Sequence, residues 1–244
     1  MQDLAALCTP LFEDPRWLVV NKAPGVVVIP ARNEPVEAAL HQALQSARGE
    51  KLWVVHRIDR DTSGVVVFAR TAEAHRHLNG LLEARKVTKR YLAFTRGAPA
   101  MPDGGTRIHY ALHTARKGKM RPAHKGEADS IEALTDFAVE ATWATPLGPV
   151  CRVAALPRTG RQHQIRVHFR AIECPLLVDP LYGGASSRSA AELGREGDLL
   201  LSRLSLHAAS FGFTDEDGAA RHFEAPLAAD LAALEACLGQ APRR

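Results

Sequence analysis

Apolar residues recur along this chain with two different periods, and each period predicts a type of element. Apolar runs at residues 17–20 and 26–29 predict short strands, which the turn signal at residues 24–25 separates. Between residues 36 and 47 the spacing changes to three and four, which predicts a helix. The apolar residues of that helix are Val36, Ala39, Leu40, Ala43 and Leu44.

The same patterns continue through the middle of the chain. Thr71 is a suitable N-cap, with Glu73 in the first turn, for a helix that runs to about Arg85. Its core-facing residues are Leu78, Leu81 and Leu82. β-Branched and aromatic residues at 91–95 and 150–156 predict further strands. Helices and strands without strict βαβ alternation favour an α+β fold with a mixed or mainly antiparallel sheet.

A third helix signal lies further along the chain. Thr159 and Gln162 have the spacing of a capping box, so a helix is predicted to begin here and to end near Ala171. Its apolar face comprises Ile165, Phe169 and Ile172. A second face, at intervals of four, comprises Gln162, Arg166 and Arg170. We expect this helix to aim Arg166 at a cleft.

The composition is that of a globular domain with a sizeable core. Of the 244 residues, 46% are apolar and 24% are charged, and no linker-like segment divides them, so we expect one domain over residues 1–244. The apolar runs are too short to cross a membrane and residues 1–14 do not resemble a signal peptide, which favours a cytoplasmic protein without membrane contact. The cysteines form no C-x-x-C pair, which favours reduced thiols.

Positive charge is concentrated in two short segments. The formal net charge is +4, yet six basic residues and no acid lie between Arg107 and Lys125. A second cluster comprises Arg85, Lys86, Lys89, Arg90 and Arg96. Such clusters suit a polyphosphate ligand such as RNA, although a solvated basic face explains either cluster alone about equally well. Residues 102–132 have little apolar periodicity and are predicted to form a basic surface excursion.

The most informative segment is residues 56–64, His-Arg-Ile-Asp-Arg-Asp-Thr-Ser-Gly. It places Asp59 between two arginines and just before the apolar run at residues 65–68. A buried carboxylate without a partner is unfavourable by roughly several kcal/mol, so Asp59 is either paired with a cation or used in chemistry. An arbitrary aspartate would more often be a structural acid that bridges Arg57 or Arg60.

This segment resembles the H-R-L-D-x-x-T-S-G motif around the catalytic aspartate of RluA-type RNA pseudouridine synthases, with Ile58 in place of leucine. Other segments resemble that family in the same order: residues 18–25, 89–91, 159–168, 179–183 and 206–208. The resemblance covers about residues 17–226, without room for an S4-type domain before Trp17. It implies the pseudouridine synthase fold, a central mixed sheet flanked by helices, with the active-site cleft across the sheet.

The resemblance also implies roles for individual residues. Asp59 is the catalytic carboxylate, Tyr91 supports the detached base, and Arg166 is the ionic partner of the aspartate. Arg161 is a second candidate for that partner, and Arg57 is suited to fill the vacated stack or to bind phosphate. The other residues expected to contact RNA or substrate are His56, Arg60, Thr62, Lys89, Arg161, His163, Gln164 and Ile165.

The sequence leaves more than one possible role for several further motif residues. For Lys22, a role in the turn is at least as plausible as contact with the substrate. Asp179 and Tyr182 are assigned mainly to loop architecture, with RNA contact as the second possibility. His163 and His207 are interpreted as hydrogen-bonding supports within their motifs.

The implied reaction has no net redox change, so no cofactor is expected. A hydrolytic metal site is disfavoured because His163 and His168 would lie about 140° apart around a helix and could not both face one ion. The expected partner is structured RNA, ribosomal or transfer, and the protein is expected to be a monomer because it has no coiled-coil seam. The alternative is a non-catalytic RNA-binding or assembly factor on the same fold.

Overall fold

The computed structural model describes residues 3–30, 39–101 and 104–241, which fall into two compact units. The first unit comprises Met1–Lys89 and His207–Ala228. The second unit comprises Arg90–Leu206 and Ala229–Arg244. That both units together form one functional domain over residues 1–244 stays a prediction.

The elements alternate between helices and strands without a regular βαβ repeat. In chain order they are α1 (Leu4–Leu7), β1 (Cys8–Glu13), β2 (Trp17–Lys22), α2 (Leu40–Arg48), β3 (Trp53–Val54), β4 (Ser63–Ala69), α3 (Ala72–Glu83), β5 (Thr88–Arg96), β6 (Arg107–His109), β7 (Leu112–Thr114), β8 (Met120–Pro122), β9 (Leu134–Thr145), β10 (Gly148–Pro157), α4 (Gln164–Ala171), β11 (Arg188–Ser189), β12 (Leu200–Leu201), β13 (Leu206–Thr214), β14 (Ala220–Glu224) and α5 (Ala229–Leu238). None of the helices in the described ranges combines the length and the apolar character that crossing a membrane requires.

The first unit is built on a mixed sheet in the order β1-β2-β4-β13. β2 pairs antiparallel with β1 and β4, whereas β4 and β13 run parallel and meet at Ser63 and His207. β3 pairs with β4, and β14 pairs with β13. Every residue of β4 is buried, and the core around it includes Trp17, Phe211 and Leu78 of α3. The central position of β4 explains why residues 65–69 of this strand are continuously apolar.

The second unit is built on an antiparallel sheet in the order β5-β10-β9-β6. Ile165 and Phe169 of α4 pack into its core with Phe137, and Ile172 packs against the same cluster. This arrangement confirms the predicted apolar face of α4. The α+β class with a mixed and mainly antiparallel sheet is also confirmed, whereas the position of the active-site cleft stays a prediction.

The strand predicted at residues 26–29 is wrong. The chain is not in a strand there, although Val28 is buried. The carbonyl oxygens of Val27 and Val28 instead accept the N–H groups of Leu40 and His41, at 2.9 and 3.1 Å, at the start of α2. The apolar run therefore reflects burial of a segment that satisfies the first N–H groups of a helix.

The remaining elements agree with the predictions apart from their ends. Strands β2, β5 and β10 occupy the predicted positions. The Thr71 hydroxyl accepts the N–H of Ala74 at 3.1 Å, which confirms the predicted N-cap, and α3 ends at Glu83. Helix α2 covers Leu40–Arg48, and the predicted start of this helix at Val36 lies outside the described residues.

Within the predicted surface excursion, the described residues 104–132 contain more regular structure than expected. They contain β6, β7 and β8, and a short 3-10 turn at Arg116–Gly118 joins β7 to β8. Ile108, Leu112 and Met120 are buried and anchor the segment. These apolar positions are too widely spaced to produce a visible period in the sequence. We call residues 112–122, which are β7, the turn and β8, the basic hairpin.

Candidate active site

Asp59 lies in a tight turn that leads into β4. Its carbonyl oxygen accepts the N–H of Thr62 at 3.1 Å. Ile58 is buried and anchors the turn in the first unit, whereas Arg57 and Arg60 are exposed. Asp59 itself is half-buried. The turn thus holds a partly shielded carboxylate with exposed cations on both sides of it in the sequence.

A buried ammonium group fixes this turn from the side of β2. Lys22 is fully buried, and its Nζ donates to the carbonyl oxygens of Ala23, Val26 and Arg60 at 2.8, 2.7 and 2.8 Å. A buried charge is tolerated when its donors are satisfied in this way. Lys22 therefore ties the turn after β2 to the residue that follows Asp59. Of its two possible roles, the structure supports the role in the turn.

The end of the motif is fixed by the parallel pairing of β4 with β13. Ser63 Oγ lies 2.9 Å from Nδ1 of His207, and Nε2 of His207 lies 3.3 Å from the carbonyl oxygen of Ala225. Nε2 must carry the proton that goes to the carbonyl, so Nδ1 accepts from the Ser63 hydroxyl. Gly64 has φ 114°, and a Cβ on it would lie 2.1 Å from the Ala208 carbonyl oxygen. The motif therefore requires glycine here, and the supporting role of His207 is confirmed.

His56 faces the interior of the first unit. Its Nε2 accepts the N–H of Val67 at 3.0 Å, and its ring stacks on Phe211 at 4.5 Å. Burial, and to a smaller extent the charge of Lys89, lowers the pKa of His56 to about 3, so the ring is neutral at physiological pH. These contacts give half-buried His56 a supporting role, whereas the RNA contact expected of it stays a prediction.

Three other side chains expected to contact RNA are buried instead. Thr62, Gln164 and Ile165 are 1%, 4% and 6% exposed. The Thr62 hydroxyl has no hydrogen-bond partner among the residues that the structure describes. Ile165 packs in the core of the second unit, and Oε1 of Gln164 accepts the N–H of Arg161 at 3.0 Å. The structure therefore assigns these three side chains to the scaffold in place of a direct RNA contact.

The start of α4 also differs from the predicted capping box. The helix begins at Gln164, and its N-cap is His163, which has φ 54° in the left-handed region. Thr159 donates from its hydroxyl to Oε1 of Gln164 at 2.7 Å, so this glutamine, and not Gln162, contacts Thr159, and the N-cap itself has no side-chain capping hydrogen bond. The capping-box spacing points to Gln162, but the helix begins two residues later, at Gln164. Gln162 consequently lies outside the helix and does not share a face with Arg166.

Tyr91 lies on β5 of the second unit, opposite Ala155 of β10. Its side chain is half-buried and packs against the apolar core of this unit. Lys89, at the end of the first unit, is also half-buried. Tyr91 thus contributes to packing, whereas its support of a detached base and the RNA contact of Lys89 stay predictions.

Arg166 of α4 forms a bidentate pair with Asp179. Nε lies 2.8 Å from Oδ2 and Nη2 lies 2.9 Å from Oδ1, and both residues are buried. Asp179 Oδ1 also accepts the N–H groups of Leu181 and Tyr182, which confirms its predicted place in the loop architecture. The guanidinium group has five N–H donors and can serve a second acceptor as well. The predicted pairing of Arg166 with Asp59 stays a prediction.

Acids from elsewhere in the second unit neutralise part of the basic cluster. Arg107 pairs with Asp136 at 2.5 Å, and Arg121 pairs with Glu127. The hydrogen bond from Arg121, followed by the backbone N–H of His124, lowers the pKa of Glu127 to about 2. The basic residues of this cluster that are exposed and have no acidic partner among the described side chains are Arg116, Lys119 and Lys125. The positive surface is therefore concentrated at and just after the basic hairpin.

The histidines of the α4 segment are engaged in hydrogen bonds within the second unit. His168 is buried, with Nδ1 2.9 Å from the Thr135 hydroxyl and Nε2 3.0 Å from the carbonyl oxygen of Tyr110. Burial lowers the pKa of His168 to about 4. His163 Nδ1 lies 2.7 Å from the hydroxyl of Tyr182, which confirms its interpretation as a hydrogen-bonding support. Both rings thus hold the segment around α4 together.

The fold has close counterparts among solved structures. The structure of Human RNA Pseudouridylate Synthase Domain Containing 1 is similar with a TM-score of 0.73 and 24% sequence identity, covering 100% of this chain and 92% of that chain. Human RNA Pseudouridylate Synthase Domain Containing 4 gives a TM-score of 0.68 and 22% identity, covering 96% of this chain and 94% of that one. At these identities the similarity shows a shared α+β fold.

Sequence comparison identifies the family. The family model described as RNA pseudouridylate synthase matches residues 16–171, and the chain belongs to this family. A relative from Xanthomonas campestris pv. campestris, "Ribosomal large subunit pseudouridine synthase D", is 37% identical over 72% of this chain and 51% of its own length. A relative of the same name from Zymomonas mobilis is 34% identical over 92% of this chain and 70% of its length. The match thus spans only about half of the Xanthomonas relative.

Proposed function

We propose that the protein is an RNA pseudouridine synthase that converts specific uridines in structured RNA to pseudouridine. The observation that carries this proposal is the construction of the Asp59 turn, which Lys22, Ser63 and Gly64 fix through three independent contacts. A half-buried carboxylate held in this way has the preorganisation that catalysis requires. Membership of the RNA pseudouridylate synthase family over residues 16–171 supports the same reaction.

The reaction rearranges one nucleotide without gain or loss of electrons. The N1–C1′ bond of the uridine breaks, a C5–C1′ bond forms, the proton on C5 leaves, and N1 gains a proton. Asp59 would act on the ribose, by attacking C1′, by stabilising oxocarbenium-like charge, or by removing a ribose proton. Tyr91 would support the detached uracil, and Arg166 would keep the Asp59 carboxylate ionised. The balance of atoms and electrons requires no cofactor.

RNA binding would use the exposed cations near these residues. A uridine must leave its stack before it reacts, at a cost of a few kcal/mol, roughly. Arg57 and Arg60 are exposed on either side of Asp59 and are suited to fill the vacated stack or to bind phosphate. Arg161 is also exposed, and the basic hairpin adds positive surface in the second unit. These contacts supply the salt-dependent part of the affinity.

We further propose large-subunit ribosomal RNA as the substrate, because relatives that match most of this chain carry the name "Ribosomal large subunit pseudouridine synthase D". Transfer RNA is the competing substrate. The protein would act in the cytoplasm as a monomer. A pseudouridine map of total RNA from cells with and without the gene decides between the two RNAs. The RNA that loses pseudouridines in cells without the gene is the substrate.

The decisive test of catalysis is Asp59→Asn. Tritium release from a 5-tritiated large-subunit ribosomal RNA transcript should fall on the order of 10³-fold or more, because asparagine can neither attack the sugar nor accept a proton. RNA affinity, measured by filter binding, should stay within about twofold because the turn keeps its shape. Asp61→Asn is the matched control, since Asp61 is an exposed acid of the same motif and should retain full activity.

Full tritium release by Asp59→Asn would refute the assignment of the catalytic carboxylate. The alternative, a non-catalytic RNA-binding or assembly factor, makes a different prediction in cells. If Asp59→Asn restores normal growth and ribosome assembly to cells that lack the gene, binding without catalysis is sufficient. If only the Asp61→Asn control restores them, the modification itself is required.

A further inference from the structure

Tyr182 connects two parts of the second unit through its hydroxyl group. The hydroxyl oxygen accepts the N–H of Met120 in β8 at 2.9 Å, and it lies 2.7 Å from Nδ1 of His163, the N-cap of α4. A phenol hydroxyl can accept one hydrogen bond and donate another at the same time. The hydroxyl of Tyr182 is therefore a shared contact of the basic hairpin and α4.

The same residue is held in the loop that binds Arg166. Asp179 accepts the backbone N–H of Tyr182 and, on the same carboxylate, pairs with the guanidinium group. That guanidinium lies 5.0 Å from the centre of the Tyr182 ring, which is within the range of a cation–π contact. The loop is compact, because a Cβ on Gly184 would lie 2.5 Å from the Asp179 nitrogen. Arg166, Asp179 and the Tyr182 ring thus form one closely packed group.

Packing and backbone geometry make the start of α4 sensitive to this contact. Leu112 and Met120 of the basic hairpin form a small buried cluster with Val167 of α4, and Tyr182 packs against that cluster. His163 adopts φ 54°, which is uncommon for a residue with a side chain and persists only when its surroundings hold it. The hydrogen bond to Tyr182 is one of the contacts that hold it.

We propose that Tyr182 is a positioning residue whose hydroxyl transmits the position of the basic hairpin to the helix that carries Arg166. When the exposed cations of the hairpin bind RNA phosphates, the β8 backbone at Met120 fixes the Tyr182 hydroxyl, which in turn fixes His163 and the first turn of α4. This inference rests on the proposed function. Tyr182 acts through Arg166 and does not need to contact the uridine.

Tyr182→Phe removes the hydroxyl and keeps the ring. We expect the single-turnover rate of tritium release from the ribosomal RNA transcript, at saturating enzyme, to fall about tenfold, because a loosely positioned Arg166 is a poor partner for the reacting groups. The enzyme concentration for half-saturation should change less than about twofold, since no RNA contact is removed. A purely structural Tyr182 would instead lower the melting temperature or the active fraction, with the rate per folded molecule unchanged.

Tyr110→Phe is the matched control. Tyr110 lies in the same unit, is 38% exposed, and forms no side-chain hydrogen bond among the described residues. Both the rate and the half-saturation concentration should remain at wild-type values. A wild-type rate for Tyr182→Phe, or a loss that the active fraction fully explains, would overturn the proposal.

A double-mutant cycle with Lys119→Ala tests the coupling itself. Lys119 is exposed next to β8 and belongs to the proposed RNA contact surface. In the wild-type background, Lys119→Ala should slow the saturated rate as well as weaken binding, because the hairpin is no longer fixed by RNA. In the Tyr182→Phe background it should weaken binding only. Additive effects on the rate in the two backgrounds would overturn the proposal.

Amide hydrogen exchange supplies a test that does not depend on activity. The Met120 N–H donates to Tyr182, and the Val167 N–H donates to the carbonyl oxygen of His163 at 3.0 Å. Tyr182→Phe should accelerate exchange at both amides by about tenfold, and Tyr110→Phe at neither. Unchanged exchange at Val167 would overturn the inference. If the wild-type protein modifies no RNA, the proposed function fails, and the exchange data still decide whether the hydroxyl couples the two elements.

Discussion

His56 makes the stability of the folded protein depend on pH. His56 accepts a backbone N–H with Nε2 and stacks on Phe211, and burial lowers its pKa from 6.5 to about 3. The unfolded chain therefore binds a proton at this residue more readily than the folded protein does. The stability that neutral His56 contributes is complete above about pH 6.5 and is lost as the pH falls through 6.5 toward 3.

His56→Gln tests this linkage because glutamine can still accept the N–H of Val67 but does not titrate. Between about pH 6 and pH 4, wild-type stability should fall more steeply than that of the variant, by up to about 1.4 kcal/mol per pH unit. Urea denaturation across this range gives the two slopes. His222→Gln, at an exposed histidine, should keep the wild-type slope. Identical slopes for wild type and His56→Gln would contradict the assignment of a neutral ring at His56 in the folded protein.

The role of a residue could be predicted from the sequence where the residue belongs to a recognisable motif. It could not be predicted where the side chain hydrogen-bonds to backbone groups. Asp59 was identifiable because residues 56–64 resemble the motif around the catalytic aspartate of a known family. Lys22 was not, since its ammonium group donates to the carbonyl oxygens of Ala23, Val26 and Arg60, and backbone acceptors leave no trace in the residue types. The pair of Arg166 with Asp179 also escaped prediction, because a loop without periodicity separates the two.

Among the contacts between elements, the parallel pairing of β4 with β13 restricts the residue type most strongly. It requires a residue without a side chain at Gly64, where a Cβ would meet the Ala208 backbone and where φ is 114°. Gly80 in α3 provides the opposite environment, because a Cβ there would meet nothing within 4 Å. Glycine at position 64 is therefore required by the space available in the folded protein. At position 80 the space admits alanine, and glycine there mainly adds conformational freedom to the unfolded chain.

Gly64→Ala should destabilise the protein by about 3 kcal/mol or more, because β13 must move away from β4 or the turn must open. Gly80→Ala should stabilise it by about 0.5 to 1 kcal/mol, since alanine is the better helix former. Equilibrium urea unfolding of both variants measures the difference. A Gly64→Ala protein as stable as wild type would show that the strands do not approach as closely as described.

Element types followed from local pattern where packing agreed with it, as in α3 and β10. The pattern failed at residues 26–29, where an apolar run is buried but gives its carbonyl groups to the start of α2. It also failed at residues 102–132, because a few separated apolar side chains are enough to anchor β6 and the basic hairpin. In both segments, long-range contacts decide the structure, and a periodicity argument cannot include them.

At the scale of the whole molecule, a net charge of +4 says little about RNA binding, because the fold redistributes that charge. Asp136 and Glu127 approach Arg107 and Arg121 and neutralise cations that the sequence shows in an acid-free segment. The cations without such partners among the described side chains, including Arg116 and Lys119, are exposed and available for phosphate. The affinity for RNA should therefore depend on a subset of the basic residues.

The salt dependence of RNA binding distinguishes cations that bind phosphate from cations that are already paired with an acid of the protein. Each phosphate contact contributes about 0.7 to 0.9 to the slope of log K against log salt concentration, so Arg116→Ala should reduce the slope by about that amount. Arg107→Ala should change it by less than half as much, because Asp136 already neutralises Arg107 in the free protein. Filter binding of the ribosomal RNA transcript between about 50 and 200 mM salt measures both. Equal changes in the two variants would show that ion pairing within the second unit does not select the cations that bind RNA.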